Sequence, residues 1–257
     1  MKIAIIGAGA MGGAIAEGVL NGNVIPSSDL MVSNPSPGKL SRFSGCGAQT
    51  TSNNREAAQW ADWIVLAVKP WLVGDVVNEI RDLLTAEKTV ISVAAGVSGD
   101  TLQEWTGSLS ALFIVIPNIA IAQQASMTFI TPIRADEQKT GEVERFFGQL
   151  GKTHVCDEDH LKAGIALASC GIAYAFRYIR AAGEGGVELG FKAGKSHEIV
   201  MQTLLGAVKL LEAEGLHPEE AIDRVTTPGG LTIKGLNEME HAGFTSAVIR
   251  GLKACIK

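Results

Sequence analysis

The chain of 257 residues has few cysteines, few aromatic residues and no excess of basic charge. Its four cysteines stand far apart without a C-x-x-C pair, which argues against a metal site or a disulfide framework and favours a cytoplasmic protein with reduced thiols. A net charge of −5 without a basic cluster argues against a nucleic-acid or anionic-membrane partner. The longest apolar stretch, residues 164–176, is too short to span a bilayer.

Two kinds of hydrophobic pattern divide the chain. The first part alternates short apolar runs, typical of buried parallel strands, with helical patterns. Strands are predicted at residues 2–6, 30–34, 63–68, 89–95, 112–117 and 126–132, with helices at 10–21, 36–44, 54–60, 71–84, 98–105 and 136–149. After Cys156 only helical patterns follow, at 158–190, 196–214, 218–225, 230–241 and 245–256. The sequence therefore predicts an α/β domain over residues 1–156 and an all-helical domain over 157–257.

A glycine-rich turn follows the first predicted strand and matches G-x-G-x-x-G. In this motif Gly7 allows the tight turn, Gly9 lets the backbone approach a pyrophosphate, and Gly12 permits close helix–strand packing. The following helix offers free N–H groups and a partial positive charge to that anion. The pattern predicts a Rossmann-like, doubly wound parallel sheet with cofactor contacts at Gly7, Gly9, Ala10, Met11 and Gly12.

The end of the second predicted strand bears on the choice of cofactor. NAD-selective domains place Asp or Glu there to bind the ribose 2′-hydroxyl. Here the nearest carboxylate, Asp29, precedes the strand. Ser33, Asn34 and Ser36 can donate hydrogen bonds to a 2′-phosphate, and Lys39 adds charge, which favours NADPH. NADH stays open because no arginine is present to clamp the phosphate, and Ser36 alone also fits an ordinary turn.

Ligands of open α/β sheets lie beyond the carboxyl ends of the strands. A lysine follows the third predicted strand, where a cofactor ribose runs, although a surface lysine fits equally well. Small residues after the fourth strand leave room for a flat ring. An asparagine after the fifth offers a donor and an acceptor to a nicotinamide carboxamide, or simply makes a turn. The candidates at these strand ends are Ala67, Val68, Lys69, Ala95, Gly96 and Asn118.

Several segments together resemble the pyrroline-5-carboxylate reductase family over nearly the full length. They are "GAGAMGGAI" near the N-terminus, "LAVKP" at 66–70, "SVAAGVS" at 92–98, "FFGQLGK" at 146–152 and "TPGGLTIKGLNEMEHAGF" at 227–244. The resemblance implies a Rossmann domain that binds NAD(P)H and a helical dimerisation domain. It also implies reduction of a cyclic imine, 1-pyrroline-5-carboxylate, to proline by a homodimer, which in some members assembles into decamers.

The same resemblance implies roles for particular residues. The backbone around Gly229, Gly230 and Leu231 would hold the substrate carboxylate, because N–H groups at a helix start favour an anion. Thr232 would be the catalytic residue, with its hydroxyl hydrogen-bonded to the ring nitrogen. Asn54 would lie near the adenosine of the cofactor. No metal is implied.

Two segments that the family usually carries are only partly kept in this chain, and the changes make the chain less polar there. The family's usual segments are Ser-Gly-Ser-Gly-Pro-Ala-Tyr and Arg-x-Met-Pro-Asn-Thr-Pro. The residues that depart from the family are Ile114, Ile119, Ala120, Ala168 and Ile172, together with Trp71 in place of glutamine after "VKP". A reductase of a different cyclic imine, or a cofactor-binding paralogue without activity, therefore remain alternatives.

Overall fold

The computed structural model describes residues 1–256, which form two compact units. The first runs from Met1 to Ser169 and the second begins at Cys170. This division falls later than the boundary predicted after residue 156, because helix Glu158–Gly164 packs on the first unit. Its Leu161 is buried in the same cluster as Phe129, and a Cβ on Gly164 would lie 2.5 Å from the Phe129 ring.

One eight-stranded sheet forms the centre of the first unit. Its strands are β1 Ile3–Ile6, β2 Leu30–Ser33, β3 Gln49–Thr51, β4 Trp63–Leu66, β5 Thr89–Ser92, β6 Ala111–Ile116, β7 Ser126–Arg134 and β8 Gly151–Val155. Their order in space is β3-β2-β1-β4-β5-β6-β7-β8. All neighbours pair in parallel except β6 and β7, which are antiparallel. The strand order reverses between β1 and β4, where such folds place their ligands.

The predicted doubly wound sheet is confirmed, with three differences. The sequence pattern did not predict β3 or β8. In addition, β7 runs against β6, because the short connection between them holds only a 3₁₀ turn and a parallel crossover needs a dozen or more residues.

Helices cover both faces of this sheet. They are α1 Ala10–Asn21, α2 Ser41–Ser44, α3 Asn54–Trp60, α4 Pro70–Ile80, α5 Gly99–Thr106, α6 Glu137–Gly148 and α7 Glu158–Gly164. Alternate residues of β1 are buried on opposite faces: Ile3 and Ile5 lie in the cluster with Val19 of α1, and Ala4 and Ile6 in the cluster with Val77 of α4. Burial on both faces explains why β1 is a continuous apolar run.

Every element among the described residues of the second unit is a helix. A π-helix, Ile165–Cys170, lies almost entirely in the first unit, interrupts the long helix predicted at 158–190 and leads into α8 Gly171–Glu188, the first helix of the second unit. The others are α9 Ala193–Glu214, α10 Pro218–Arg224, α11 Leu231–His241 and α12 Phe244–Ala254. Helices α8 and α9 approach closely, since Ser196 Oγ donates to the Gly183 carbonyl at 2.8 Å.

The second unit leaves much apolar surface exposed. Among its described residues only Gly183 and Ser196 are buried, whereas Phe176, Met201 and Val208 are each more than half exposed. Exposure of so many large apolar side chains is typical of a surface that associates with another protein. Within residues 1–256, no helix has the length and apolar character needed to cross a membrane.

Candidate active site

The turn after β1 can be built only from glycine at two positions. Gly7 has φ +111°, and a Cβ there would lie 2.5 Å from the Ala67 carbonyl oxygen. A Cβ on Gly12 would lie 1.9 Å from the Gly7 carbonyl oxygen. Side chains at either place would force β1, β4 and α1 apart, so both glycines serve the packing that the motif requires.

Gly9 differs from these two because its missing side chain leaves open space. It is the N-cap of α1, and a Cβ on it would meet no atom within 4 Å. Ala10 is exposed and Met11 half-buried in a first turn that contains no acidic residue. Asn34 braces the turn by accepting a hydrogen bond from Ala8 N at 3.1 Å. The result is a cradle of backbone N–H groups that fits a pyrophosphate.

The polar residues after β2 have different surroundings. Ser33 is fully buried, and its hydroxyl donates to Asn54 Oδ1 at 2.8 Å instead of facing open space. Asn34 is 8% exposed and also donates to the Ser36 carbonyl at 3.3 Å. Ser36 is exposed and precedes a 3₁₀ turn that contains Lys39. Of the three residues predicted here, Ser33 and Asn34 are buried and hydrogen-bonded within the protein, whereas Ser36 has an exposed hydroxyl.

Asn54 leads to a carboxylate that the sequence pattern did not reveal. Asn54 is the first residue of α3, and its Nδ2 donates to Glu79 Oε2 on α4 at 2.8 Å. Next to it, Arg55 makes a two-pronged ion pair with Asp82, at 2.6 and 2.7 Å. Through hydrogen bonding, Arg55 lowers the pKa of the Asp82 carboxyl and Asp82 raises the pKa of Arg55. No sequence signal identifies Glu79, because its position depends on how α3 packs on α4.

The residues after β4 run along the switch point of the sheet. Ala67 N donates to the Ile6 carbonyl at 2.8 Å, and Val68 Cγ1 lies within 3.0 Å of where a Gly7 Cβ would be. Lys69 is exposed at the start of α4, with Nζ 6.0 Å from the ring of Trp71. Since Trp71 is 74% exposed, the pair forms an amphipathic rim beside the glycine turn.

A cavity of about 310 Å³ opens at the carboxyl ends of β5 and β6. Exposed Ala95 and Gly96 form one wall, and Ile114 and Ile165 contribute apolar surface. Gly96 has φ +88°, a left-handed conformation that glycine adopts freely. The small residues Ala95 and Gly96 line an open cavity, and their predicted contact with a flat ring stays a prediction.

The loop beside this cavity is held by Glu158, a residue that the sequence reading missed. Glu158 Oε2 accepts a hydrogen bond from Gly99 N at 3.1 Å, which ties the start of α5 to α7. A Cβ on Gly99 would lie 2.4 Å from the other carboxylate oxygen, so the fit depends on glycine.

Asn118 is 9% exposed and already makes several hydrogen bonds within the first unit. Its Oδ1 accepts from Ala120 N at 3.0 Å, and its Nδ2 donates to the Ala168 carbonyl at 3.4 Å. Asn118 thus links the end of β6 to the π-helix. Its predicted contact with nicotinamide stays a prediction and would use the remaining N–H and lone pair.

In the second unit, the Pro-Gly-Gly segment makes a turn directly before α11. Gly229 has φ +71°, and Gly230 N donates to the Thr227 carbonyl at 2.9 Å. Gly230 is the N-cap of α11 without a side-chain cap, and the first turn has no acidic residue. Leu231, at 87% exposure, and Thr232 are exposed in that turn. An uncapped helix start with an exposed hydroxyl has the chemistry to bind a small anion.

Comparison with known proteins connects both units to one family. Residues 158–257 match the model for pyrroline-5-carboxylate reductase dimerisation, and residues 2–96 match the model for NADP oxidoreductase, coenzyme F420-dependent. The pyrroline-5-carboxylate reductase of Pisum sativum is 34% identical over 99% of this chain and 93% of its own length. Pyrroline-5-carboxylate reductase 3 of Macaca fascicularis is 31% identical over 98% and 93%.

Solved structures agree with this relationship. A Plasmodium falciparum pyrroline carboxylate reductase with NADP bound superposes with a TM-score of 0.92 at 28% identity, covering 100% of this chain and 95% of that one. The Coxiella burnetii pyrroline-5-carboxylate reductase gives 0.88 at 30% identity, covering 99% and 96%. The chain is thus related over nearly its whole length to these enzymes, and it contains both the glycine turn and the Pro-Gly-Gly turn described above. The chain belongs to the pyrroline-5-carboxylate reductase family.

Proposed function

We propose that this protein reduces 1-pyrroline-5-carboxylate to proline with NADPH or NADH. The observation that supports this most is that similarity to the reductases extends over 99% of the chain, including both the dinucleotide-binding unit and the helical unit. The proposal treats residues 157–257 as the second domain, consistent with the start of the dimerisation match at residue 158.

The cofactor side of the proposal depends on the cradle at Gly9. The open space around Gly9 and the uncapped start of α1 suit a pyrophosphate. Ser36 and Asn54 would hold the adenosine ribose, Ala67–Lys69 would flank the cofactor, and Ala95, Gly96 and Asn118 would border the nicotinamide. Bound reduced nicotinamide supplies the hydride that the C=N carbon accepts.

The protein's part in the chemistry is to position the imine and stabilise its nitrogen. The backbone of the Gly229–Leu231 turn holds the substrate carboxylate at the start of α11, where Gly230 shapes the turn because its own N–H already donates to the Thr227 carbonyl. The hydroxyl of Thr232 hydrogen-bonds the ring nitrogen as it becomes an amine. A threonine hydroxyl is a poor acid, so Thr232 orients and solvates the nitrogen, whereas the proton comes from the substrate or from water.

A second candidate function rests on the apolar cavity wall. Ile114 lies in the eroded family segment, and with Ile116 and Ile165 it makes one side of the cavity apolar. Such a wall suits a more apolar imine than pyrroline-5-carboxylate. Reduction of a different cyclic imine is therefore the alternative, followed by a paralogue that binds the cofactor without turnover.

A panel of cyclic imines tests these possibilities. We expect oxidation of NADPH or NADH on addition of 1-pyrroline-5-carboxylate, and much slower oxidation with the same ring lacking its carboxylate. The measurement is the loss of reduced-nicotinamide absorbance with each cofactor. Equal rates for both imines would show that the Gly229–Leu231 turn does not recognise the substrate carboxylate. Tight cofactor binding without reduction of any imine would support the inactive paralogue.

We further propose that the second unit forms a homodimer, which is the basis of any larger assembly such as a decamer. A groove of about 690 Å³ on this unit is lined almost entirely by apolar residues, including Tyr178, Met239, Phe244 and Val248. A helix from a second copy would remove this surface from water, which favours association.

We also propose that the protein is cytoplasmic, because all four of its cysteines are free thiols.

Replacing Val248 with glutamate is expected to break the dimer. The new charge would be buried in a largely apolar interface, and the dimer dissociation constant should rise by at least about 100-fold. Analytical ultracentrifugation over a concentration series measures this. Ser246→Glu on the same helix is the matched control, because Ser246 is exposed and does not line the groove. A dimer equally stable in the Val248 variant would place the interface elsewhere.

A further inference from the structure

A carboxylate from another helix reaches the end of β2, where the sequence itself has none. Ser33, the last residue of β2, donates to Asn54 Oδ1, and Asn54 Nδ2 donates to Glu79 Oε2, both at 2.8 Å. Two hydrogen bonds therefore connect Glu79 to the strand end that recognises the adenosine ribose in this kind of fold. The acidic residue that NAD-selective domains carry on β2 has a counterpart here, contributed by α4.

Glu79 also determines what Asn54 can offer to a ligand. A carboxylate only accepts hydrogen bonds, so the amide nitrogen of Asn54 must face Glu79 and its oxygen must face Ser33. One N–H and one lone pair of Asn54 then remain for a ribose. A 2′-hydroxyl, which both donates and accepts, can use both, whereas a 2′-phosphate only accepts and would lie near the Glu79 charge.

The nearby cation does not offset that charge. Arg55 pairs with Asp82 through two nitrogens, and its Nη1 also donates to the Glu79 backbone carbonyl at 2.6 Å. The charges of Arg55, Asp82 and Glu79 add to one negative charge beside the ribose end. The opposing contribution comes from Lys39, exposed on the turn after β2.

We propose that Glu79 is a specificity-determining residue, whose carboxylate, held against Asn54, discriminates against the 2′-phosphate of NADPH in favour of the free 2′-hydroxyl of NADH. The inference rests on the proposed binding of the cofactor but not on the identity of the imine.

The test replaces Glu79 with glutamine, which keeps a hydrogen-bond acceptor for Asn54 and removes the charge. Isothermal titration with 2′,5′-ADP and with 5′-AMP, which differ only in the 2′-phosphate, measures the preference for that phosphate without any turnover. We expect the ratio of the two affinities to move roughly tenfold towards 2′,5′-ADP in the variant. The ratio of kcat/KM for NADPH to that for NADH should move in the same direction.

Asp75→Asn is the control, because Asp75 is an exposed carboxylate on the same helix. An unchanged ratio in the Glu79 variant, or an equal change in the Asp75 variant, would overturn the inference. Nucleotide binding without reduction of any imine would count against the proposed reaction and leave this inference standing. Failure of the unaltered protein to bind either nucleotide would overturn both.

Discussion

Replacing Thr232 with alanine is expected to lower kcat on the order of 100-fold while leaving the cofactor dissociation constant unchanged. The hydroxyl is exposed in the first turn of α11, where it would stabilise the nitrogen only as the imine is reduced. An interaction that strengthens in the transition state affects kcat more than substrate binding. Steady-state kinetics and cofactor titration by fluorescence measure the two quantities separately.

Thr232→Ser is the matched control because it keeps the hydroxyl and removes only a methyl group. We expect it to retain most of the activity, which would separate hydrogen bonding from packing. Since Thr232 is exposed, neither variant should alter the melting temperature. A kcat unaffected by the alanine change would remove Thr232 from the mechanism.

Two alanine substitutions in the glycine turn are expected to fail in different ways. At Gly9 the added methyl enters open space, so the fold should be unaffected while the methyl blocks the approach of a pyrophosphate. Cofactor affinity should fall at least tenfold, or about 1.4 kcal/mol of binding free energy. At Gly12 the methyl would lie 1.9 Å from the Gly7 carbonyl oxygen, so we expect a loss of stability of about 3 kcal/mol together with loss of binding.

Thermal unfolding and cofactor titration together distinguish these outcomes. Gly141→Ala is the control, because its Cβ would also meet no atom within 4 Å but it lies on α6, away from the turn. This variant should gain a little stability from the higher helix propensity of alanine, and its affinity for the cofactor should be unchanged. Unaltered cofactor affinity in the Gly9 variant would show that the turn does not hold the pyrophosphate.

Most of the strands that the sequence predicted have one property that the missed strands lack. Residues 63–68 and 112–117 are continuous apolar runs because helices cover both faces of the sheet there. By contrast, β3 and β8 are the two edge strands, short and largely polar, and several of their residues are exposed. Their pairing depends on neighbours rather than on a pattern of their own. The antiparallel direction of β7 likewise follows from its connection and leaves no mark in its composition.

The candidate site divides in a similar way. A local motif was enough to locate the glycine turn, because the reasons for its three glycines all lie within one strand–turn–helix unit. Gly7 and Gly12 have no room for a side chain, and Gly9 leaves space for a ligand. Residue type alone could not show that Ser33 is buried or that Asn118 links β6 to the π-helix. Glu158, which holds the loop before α5, comes from a distant part of the chain and carries no motif.

By itself, the sequence determined the alternating α/β order, the helical second part, the glycine cradle and the family to which the chain belongs. These features are local, since they depend on hydrophobic period and on which residues fit a turn. Only the tertiary structure decided which charge lies beside the end of β2. Glu79 and Ser33 are far apart along the chain, and they are joined through Asn54 because α3 packs against α4. Electrostatic interaction depends on distance in space, and that distance is set only when the chain folds.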